Sequence, residues 1–150
     1  MSVPTTAEQV RALFDDAERA ELAARPVRLS QERSLDAAEL AASWASRVEK
    51  IDQDRALPWT DRTVWSEHDL AGSLFIRDFL QQALDVLPAP LRERLIAGFI
   101  AVADERFRSY TVADPDGRMG RVAGIEPAGK AWWWHRVPKS GPITQDLARY

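Results

Sequence analysis

The sequence contains no cysteine, and this absence excludes several classes of site. Without thiols the chain forms no disulfide, offers no thiol nucleophile and builds no thiolate zinc site. Histidine is scarce too, because His68 and His135 are the only two. A metal site would have to use carboxylates and these imidazoles. We predict neither a bound metal nor a cofactor.

Long apolar runs and a strong excess of basic residues are also missing. No apolar run approaches the ~20 residues that span a bilayer, and the N-terminal residues lack the features of a secretory signal. We therefore expect a cytoplasmic protein without membrane contacts. The net charge of −3 does not suggest a nucleic-acid-binding domain, because such domains are usually basic. The length of 150 residues predicts a single globular domain over residues 1–150.

What is present is mainly helical periodicity, which is clearest at positions 66–110. Apolar residues recur there every three or four positions and predict two helices, at about 67–87 and 90–110. Ser66 favours the start of the first helix, and the Pro88 and Pro90 pair favours its end and the start of the second. So short a connection predicts an antiparallel pair, with Phe79 and Phe99 buried between the helices.

The first third of the chain predicts two more helices. One should run over about 6–24, starting at a Thr5 and Glu8 capping box and ending before Pro26. The second should be capped by Ser34 and bury an alanine-rich stripe, which comprises Ala37, Ala38, Ala41, Trp44, Ala45, Val48 and Ile51. Positions 52–65 lack periodicity and predict an ordered loop fixed by Trp59 and Trp65.

The last 40 residues differ from the rest of the chain in composition, because they are rich in glycine and proline. Positions 114–117 have the composition of a tight turn, and 131–137 have strand character, with 118–125 as a weaker candidate for the partner strand. The fold class is therefore mainly α: one bundle of about four helices (about 6–110) and an irregular tryptophan-rich tail (about 111–150) that can hold a small β-hairpin.

Three consecutive tryptophans are the most distinctive feature of this tail. On a strand, Trp132 and Trp134 would point to one face and Trp133 to the other. In one interpretation all three pack in the core. In the other, at least one is exposed and forms a binding site together with Arg121 and Arg136, because tryptophan and arginine are common in protein interfaces and in sites that stack on bases. Residues 106–139 carry seven Arg or Lys and three Asp or Glu, which would attract an anionic partner.

Arg62 and His68 form a second candidate site, at the start of the central helix. Five residues separate them, which resembles the Arg-x(4–6)-His signature of HEPN ribonucleases, a family of small helical bundles. The resemblance implies that Arg62 stabilises phosphate charge and that His68 acts as acid or base. In the neighbouring Glu67-His68-Asp69, successive side chains on a helix diverge by about 100° and do not converge on one metal ion.

No complete catalytic set or cofactor motif is evident in the sequence. We therefore expect a non-catalytic protein that binds a partner protein, such as an adaptor or an immunity protein that masks a toxin. The alternatives are an HEPN-like ribonuclease using Arg62 and His68, and a nucleic-acid binder using the tryptophan and arginine residues of the tail.

Overall fold

The computed structural model describes residues 4–114 and 116–150, and the fold is mainly α, as the periodicity predicts. In chain order the helices are α1 (Ala7–Arg11), α2 (Asp16–Ala23), α3 (Ala37–Asp54), α4 (Glu67–Asp85), α5 (Ala89–Leu95), α6 (Ala101–Ser109), α7 (Arg118–Ala123) and α8 (Pro142–Leu147). A π-helical turn, Ile96–Ile100, joins α5 to α6, and a 3₁₀ helix spans Trp132–His135. The strands are β1 (Val27–Arg28), β2 (Ser34–Leu35), β3 (Thr111–Ala113) and β4 (Arg136–Pro138).

The chain divides into two compact units. One comprises the residues up to Arg47 together with Phe75–Asp104, and the other comprises Val48–Leu74 and Glu105–Tyr150. Helices α3 and α4 each contribute residues to both units. The single domain expected over residues 1–150 stays a prediction. Among the described residues, no helix is both long and apolar enough to cross a bilayer.

The first predicted helix, at about 6–24, is in fact two helices. Thr6, rather than Thr5, caps α1 in a capping box with Gln9, and Asp15 forms a second capping box with Glu18. The Asp15 carboxylate binds the backbone N–H of Glu18 at 2.8 Å, which starts a new helix where the apolar spacing alone suggests continuity. The prediction of one continuous helix was therefore wrong.

The predicted loop before the second helix contains the short antiparallel pair of β1 and β2. Ser34 lies in β2 and is not the helix cap. Asp36 has that role instead, because its carboxylate accepts from the Glu39 N–H while the Glu39 carboxylate accepts from the Asp36 N–H. All seven residues of the alanine-rich stripe on α3 are buried, as predicted.

The two central helices lie close to their predicted positions. Ser66 Oγ accepts from the His68 N–H at 3.2 Å at the start of α4, and Pro90 occupies the first turn of α5. Phe99 is buried and its ring centroid lies 6.4 Å from that of Phe14. Phe79 is only partly buried, so the expectation that both rings are enclosed was wrong for Phe79.

The π turn changes which residues of the second central helix are buried. The buried residues include Leu91, Leu95, Phe99, Ala103 and Phe107, which are spaced by four. Such a row drifts by about 40° per step on an α-helix, and a π turn, with its wider spacing, offsets part of the drift. Ile96 and Val102, which the apolar spacing places in the core, are exposed instead.

The tail is built around the antiparallel pair of β3 and β4, in which Val112 lies opposite Val137. Residues 118–125 were expected to pair with the tail strand, but most of them form α7. The predicted turn at 114–117 includes Pro115, which lies outside the described residues. Around it, the Gly117 N–H donates to the Asp114 carbonyl at 3.4 Å, and Gly117 has a φ of 63°. That φ favours glycine.

Candidate functional site

The tryptophan run does not form the predicted strand. Trp132–His135 is a 3₁₀ helix, in which the Trp134 N–H donates to the Ala131 carbonyl at 3.0 Å. A strand would place neighbouring rings on opposite faces, whereas the tight 3₁₀ turn lets the adjacent Trp133 and Trp134 both be buried. Of the three rings, only Trp132 keeps appreciable accessible surface.

Trp132 is held by neighbours on several sides. Its ring centroid lies 6.2 Å from that of Phe107 and 5.6 Å from that of Trp133, in an edge-on arrangement. The Arg108 guanidinium carbon lies 3.8 Å from the ring centroid, a close cation–π contact. Protein groups therefore occupy much of the surface that a partner would need.

The two arginines predicted to bind a partner both hydrogen-bond to backbone carbonyls. Arg121 donates to Asp116 O at 2.7 Å. Arg136 donates to the carbonyls of Arg108 and Thr111, at 3.3 and 2.8 Å, just where α6 ends. A cation at a helix C-terminus satisfies unpaired carbonyls and suits the helix dipole. These contacts give Arg136 a structural role, and its binding role stays a prediction.

The second predicted pair, Arg62 and His68, is exposed. Within the described part of the chain, no hydrogen bond or ion pair joins these two side chains. His68 Nε2 instead lies 3.3 Å from Glu67 Oε1, although the two residues are neighbours on α4. The carboxylate beside His68 is thus one that the Arg-x(4–6)-His spacing does not include.

Five side chains of the same unit form a connected set of polar contacts at the surface. It comprises Trp59, Glu67, His68, Asp146 and Arg149, and we call it the Trp59 cluster. Trp59 lies in the loop between α3 and α4, Glu67 and His68 begin α4, Asp146 lies on α8, and Arg149 follows α8. Two regions that are distant in sequence, residues 59–68 and 146–149, therefore meet at one place.

Two buried carboxylates organise the Trp59 cluster. Asp146 Oδ1 accepts from the Trp59 indole N–H at 2.7 Å and lies 4.0 Å from Arg149 Nη2. The same Arg149 nitrogen donates to Glu67 Oε2 at 3.1 Å, while Glu67 Oε1 faces His68. The Glu67 side chain is only 4% exposed, whereas those of His68 and Arg149 are 67% and 66% exposed. The two carboxylates are therefore buried, while the side chains of His68, Arg149 and Trp59 are exposed.

The loop that carries Trp59 is held in place by its own hydrogen bonds. Asp61 N–H donates to Pro58 O at 2.9 Å, and the Asp61 carboxylate accepts from both the hydroxyl and the N–H of Thr63. The hydroxyl bond, and then the N–H bond, lower the pKa of Asp61. Farther along, the Trp65 N–H donates to Asp54 Oδ2 at 2.8 Å. Trp59, which is 51% exposed, thus sits on a loop with several internal hydrogen bonds.

Sequence reasoning found parts of this cluster but not the whole. Trp59 was expected only to fix the loop, Glu67 only to begin a helix, and the last residues had no assigned role. Asp146 and Arg149 meet Trp59 and Glu67 across 87 and 82 positions of sequence. The i,i+3 spacing of Asp146 and Arg149 was the one local signal available.

The arrangement offers an exposed indole with a fixed orientation and two exposed basic side chains. Among the described residues, no group of three or more His, Asp or Glu side chains could hold a metal ion.

Comparisons of the chain with protein-family models, with curated proteins and with solved structures found no match.

Proposed function

We propose that this chain is a cytosolic protein that binds a partner protein without chemical change, in a role such as that of an adaptor or an immunity protein. The partner would dock on the Trp59 cluster. One observation supports this most: Trp59 is 51% exposed, yet its indole N–H is bonded to the buried Asp146.

The physical reason is that a fixed, exposed tryptophan is well prepared for binding. Its ring offers a large apolar surface, and the bond to Asp146 already satisfies the indole N–H, which a partner therefore does not have to match. An oriented side chain also loses less conformational entropy when it is covered. Exposed Leu57 and Tyr150, which are close in sequence to Trp59 and Arg149, add apolar surface in the same unit.

Trp59→Ala tests this proposal. Tryptophan and arginine are the residues most often found at binding hot spots, so the substitution should weaken binding by about 2 kcal/mol or more. The partner would first be identified by co-purification with tagged wild-type protein from the native cell. Its affinity for wild type and variants would then be measured by calorimetry with purified components.

Leu13→Ala provides the matched control, because Leu13 is an exposed apolar residue of the other unit. It should bind like the wild type and melt close to the wild-type temperature, while Trp59→Ala, which removes the donor to Asp146, should melt at a lower temperature but remain folded. A partner that binds Trp59→Ala as tightly as the wild type, while both proteins remain folded, would rule out docking on this cluster.

A further inference from the structure

The guanidinium of Arg55, just after α3, binds the hydroxyl of Ser140 through two of its N–H groups. Arg55 Nε donates to Ser140 Oγ at 3.2 Å, and Nη2 donates to the same oxygen at 2.9 Å. This pair of parallel donors matches the two oxygens of a carboxylate or a phosphate, whereas a neutral hydroxyl offers a single acceptor atom. The present partner therefore uses only part of what these donors can bind.

The positive charge at this place exceeds the negative charge that pairs with it. Arg55 Nη1 lies 2.8 Å from Asp52 Oδ1, and Arg106 Nη2 lies 3.3 Å from Oδ2 of the same carboxylate. Among the described residues, no other carboxylate forms an ion pair with either arginine. One carboxylate thus serves two guanidinium groups, so an added anion would gain a counter-charge without breaking an existing pair.

Asp54 is the acidic residue that lines a small cavity together with Arg55 and Ser140. Its charge is already offset, because Asp54 Oδ1 lies 2.7 Å from Lys50 Nζ and Oδ2 accepts from the Trp65 N–H at 2.8 Å. Repulsion between this carboxylate and an anion at Ser140 is therefore reduced.

Ser140 lies in the three-residue connection between β4 and α8, and its backbone is held against Arg55. The N–H of Lys139 donates to the Tyr110 carbonyl at 3.0 Å. Gly141 has a φ of 102°, and a β-carbon added there would lie 2.8 Å from the α-carbon of Arg55. The connection thus packs closely against Arg55, while Ser140 itself is exposed.

We propose that Ser140 is a phosphorylation site whose phosphate binds to Arg55. The phosphoryl donor is ATP, and a protein kinase catalyses the transfer. Ser140 Oγ bonds to the γ-phosphorus while the bond from that phosphorus to the β,γ-bridging oxygen breaks, ADP leaves, and a base of the kinase takes the hydroxyl proton.

The product places a strong anion where the Arg55 donors point. A phosphoserine carries nearly two negative charges at neutral pH and three strong acceptor oxygens. The Thr111 hydroxyl also accepts from an arginine, Arg136 Nε at 2.8 Å, but Thr111 is buried and closed to a kinase. Phosphorylation of Ser140 would strengthen the contact of the tail with Arg55, and it does not depend on the proposed binding of a partner protein.

The first experiment asks whether the modification is present. The full chain is purified from its native cell, in growing and in resting cultures, with phosphatase inhibitors present, and its peptides are analysed by mass spectrometry. We expect a phosphate on Ser140 in at least one of the two cultures. Its absence from both would overturn the proposal.

A second experiment tests whether Arg55 binds the phosphate. Phosphoserine is incorporated at position 140 of the full chain, with Arg55 or with Arg55→Gln, and each modified protein is compared with its unmodified form. Phosphorylation should raise the melting temperature by about 2–4 °C with Arg55 and by much less with Arg55→Gln. Comparing these differences removes the effect of Arg55→Gln alone. Arg62→Gln, which changes an exposed arginine of the same unit, should leave the gain as it is in the wild type.

Phosphorus NMR gives a direct measure of the contact through the second pKa of the phosphate. That pKa is about 6 for an ordinary phosphoserine, and neighbouring cations lower it because they favour the doubly charged form. It should therefore be lower with Arg55 than with Arg55→Gln. Equal pKa values and equal gains in melting temperature in the two backgrounds would overturn the proposal. An equal gain from inorganic phosphate added to the unmodified chain would also overturn it, because the Arg55 donors would then bind a free anion.

Discussion

Individual buried polar residues show where this protein depends on satisfied hydrogen bonds. Tyr110 is one example: its hydroxyl donates to the Val48 carbonyl at 2.8 Å, and the Arg55 guanidinium lies 5.4 Å from its ring centroid. Burial, and then the charge of Asp52, raise the pKa of Tyr110 well above its usual value. The folded protein should therefore keep this phenol protonated at pH values where an exposed tyrosine ionises.

A pH titration tests this assignment. The unfolded chain loses the Tyr110 proton at its ordinary pKa while the folded chain retains it, so the stabilisation is complete below that pKa and declines as pH rises above it. In Tyr150→Phe, which leaves Tyr110 as the only tyrosine, the ultraviolet absorbance of tyrosinate should be absent at about pH 11 and appear only with unfolding. Normal titration of the folded variant would contradict a buried Tyr110.

Asp104 is the centre of a second buried network. It accepts from the Trp44 indole at 2.8 Å and from two nitrogens of Arg77 at 3.0 Å. All three residues are buried in the unit that contains Phe75–Asp104. Removing the carboxylate would take away one counter-charge of a buried guanidinium and one acceptor of a buried indole N–H.

We therefore predict that Asp104→Ala lowers the free energy of unfolding by ~3–5 kcal/mol, measured by urea denaturation. Asp85→Ala removes an exposed carboxylate near the end of α4 and should change stability by no more than about 0.5 kcal/mol. Similar losses in the two variants would show that the Asp104 network contributes little.

At the scale of elements, the helix from Ala89 to Ser109 is the one whose geometry departs most from its sequence pattern. Gly98 lies within its π turn, and a β-carbon added there would meet no atom within 4 Å. Glycine in a helix costs about 0.5–1 kcal/mol relative to alanine, because the unfolded chain has more backbone freedom to lose. Gly98→Ala should therefore raise the melting temperature.

Gly120, in α7, is the matched comparison because it is also helical but enclosed. A β-carbon there would lie 2.7 Å from Pro127 Cδ and 2.8 Å from the Ile125 carbonyl oxygen. Gly120→Ala should lower the melting temperature while Gly98→Ala raises it, and both are read from thermal unfolding. If the two substitutions shift the melting temperature in the same direction, local space at these glycines is not the deciding factor.

Considered as a whole molecule, the protein is predictable from sequence where local signals decide the structure. The alanine-rich stripe of α3 and the proline pair at 88 and 90 act through helical periodicity and fixed backbone angles, and both predictions were confirmed. The break before α2 was missed because the capping box of Asp15 competes with an apolar pattern that continues across it. The tryptophan run was wrongly predicted as a strand, because alternation does not reveal that two adjacent rings can both be buried.

The Trp59 cluster was the least predictable part, because no local pattern relates its members. Trp59 and Asp146 are brought together only by the packing of the unit that contains them, as are Glu67 and Arg149. From sequence, His68 has an arginine neighbour at a suggestive spacing and a carboxylate beside it. In the structure His68 lies beside the Glu67 carboxylate, and that carboxylate also pairs with Arg149, near the C-terminal end of the sequence.

A single carboxylate oxygen of Asp146 contacts two exposed side chains. Asp146 Oδ1 accepts from the Trp59 indole N–H and lies 4.0 Å from Arg149 Nη2, so the same atom positions both side chains. A partner docked on Trp59 would therefore also cover Arg149, and loss of the Asp146 carboxylate would release both side chains at once.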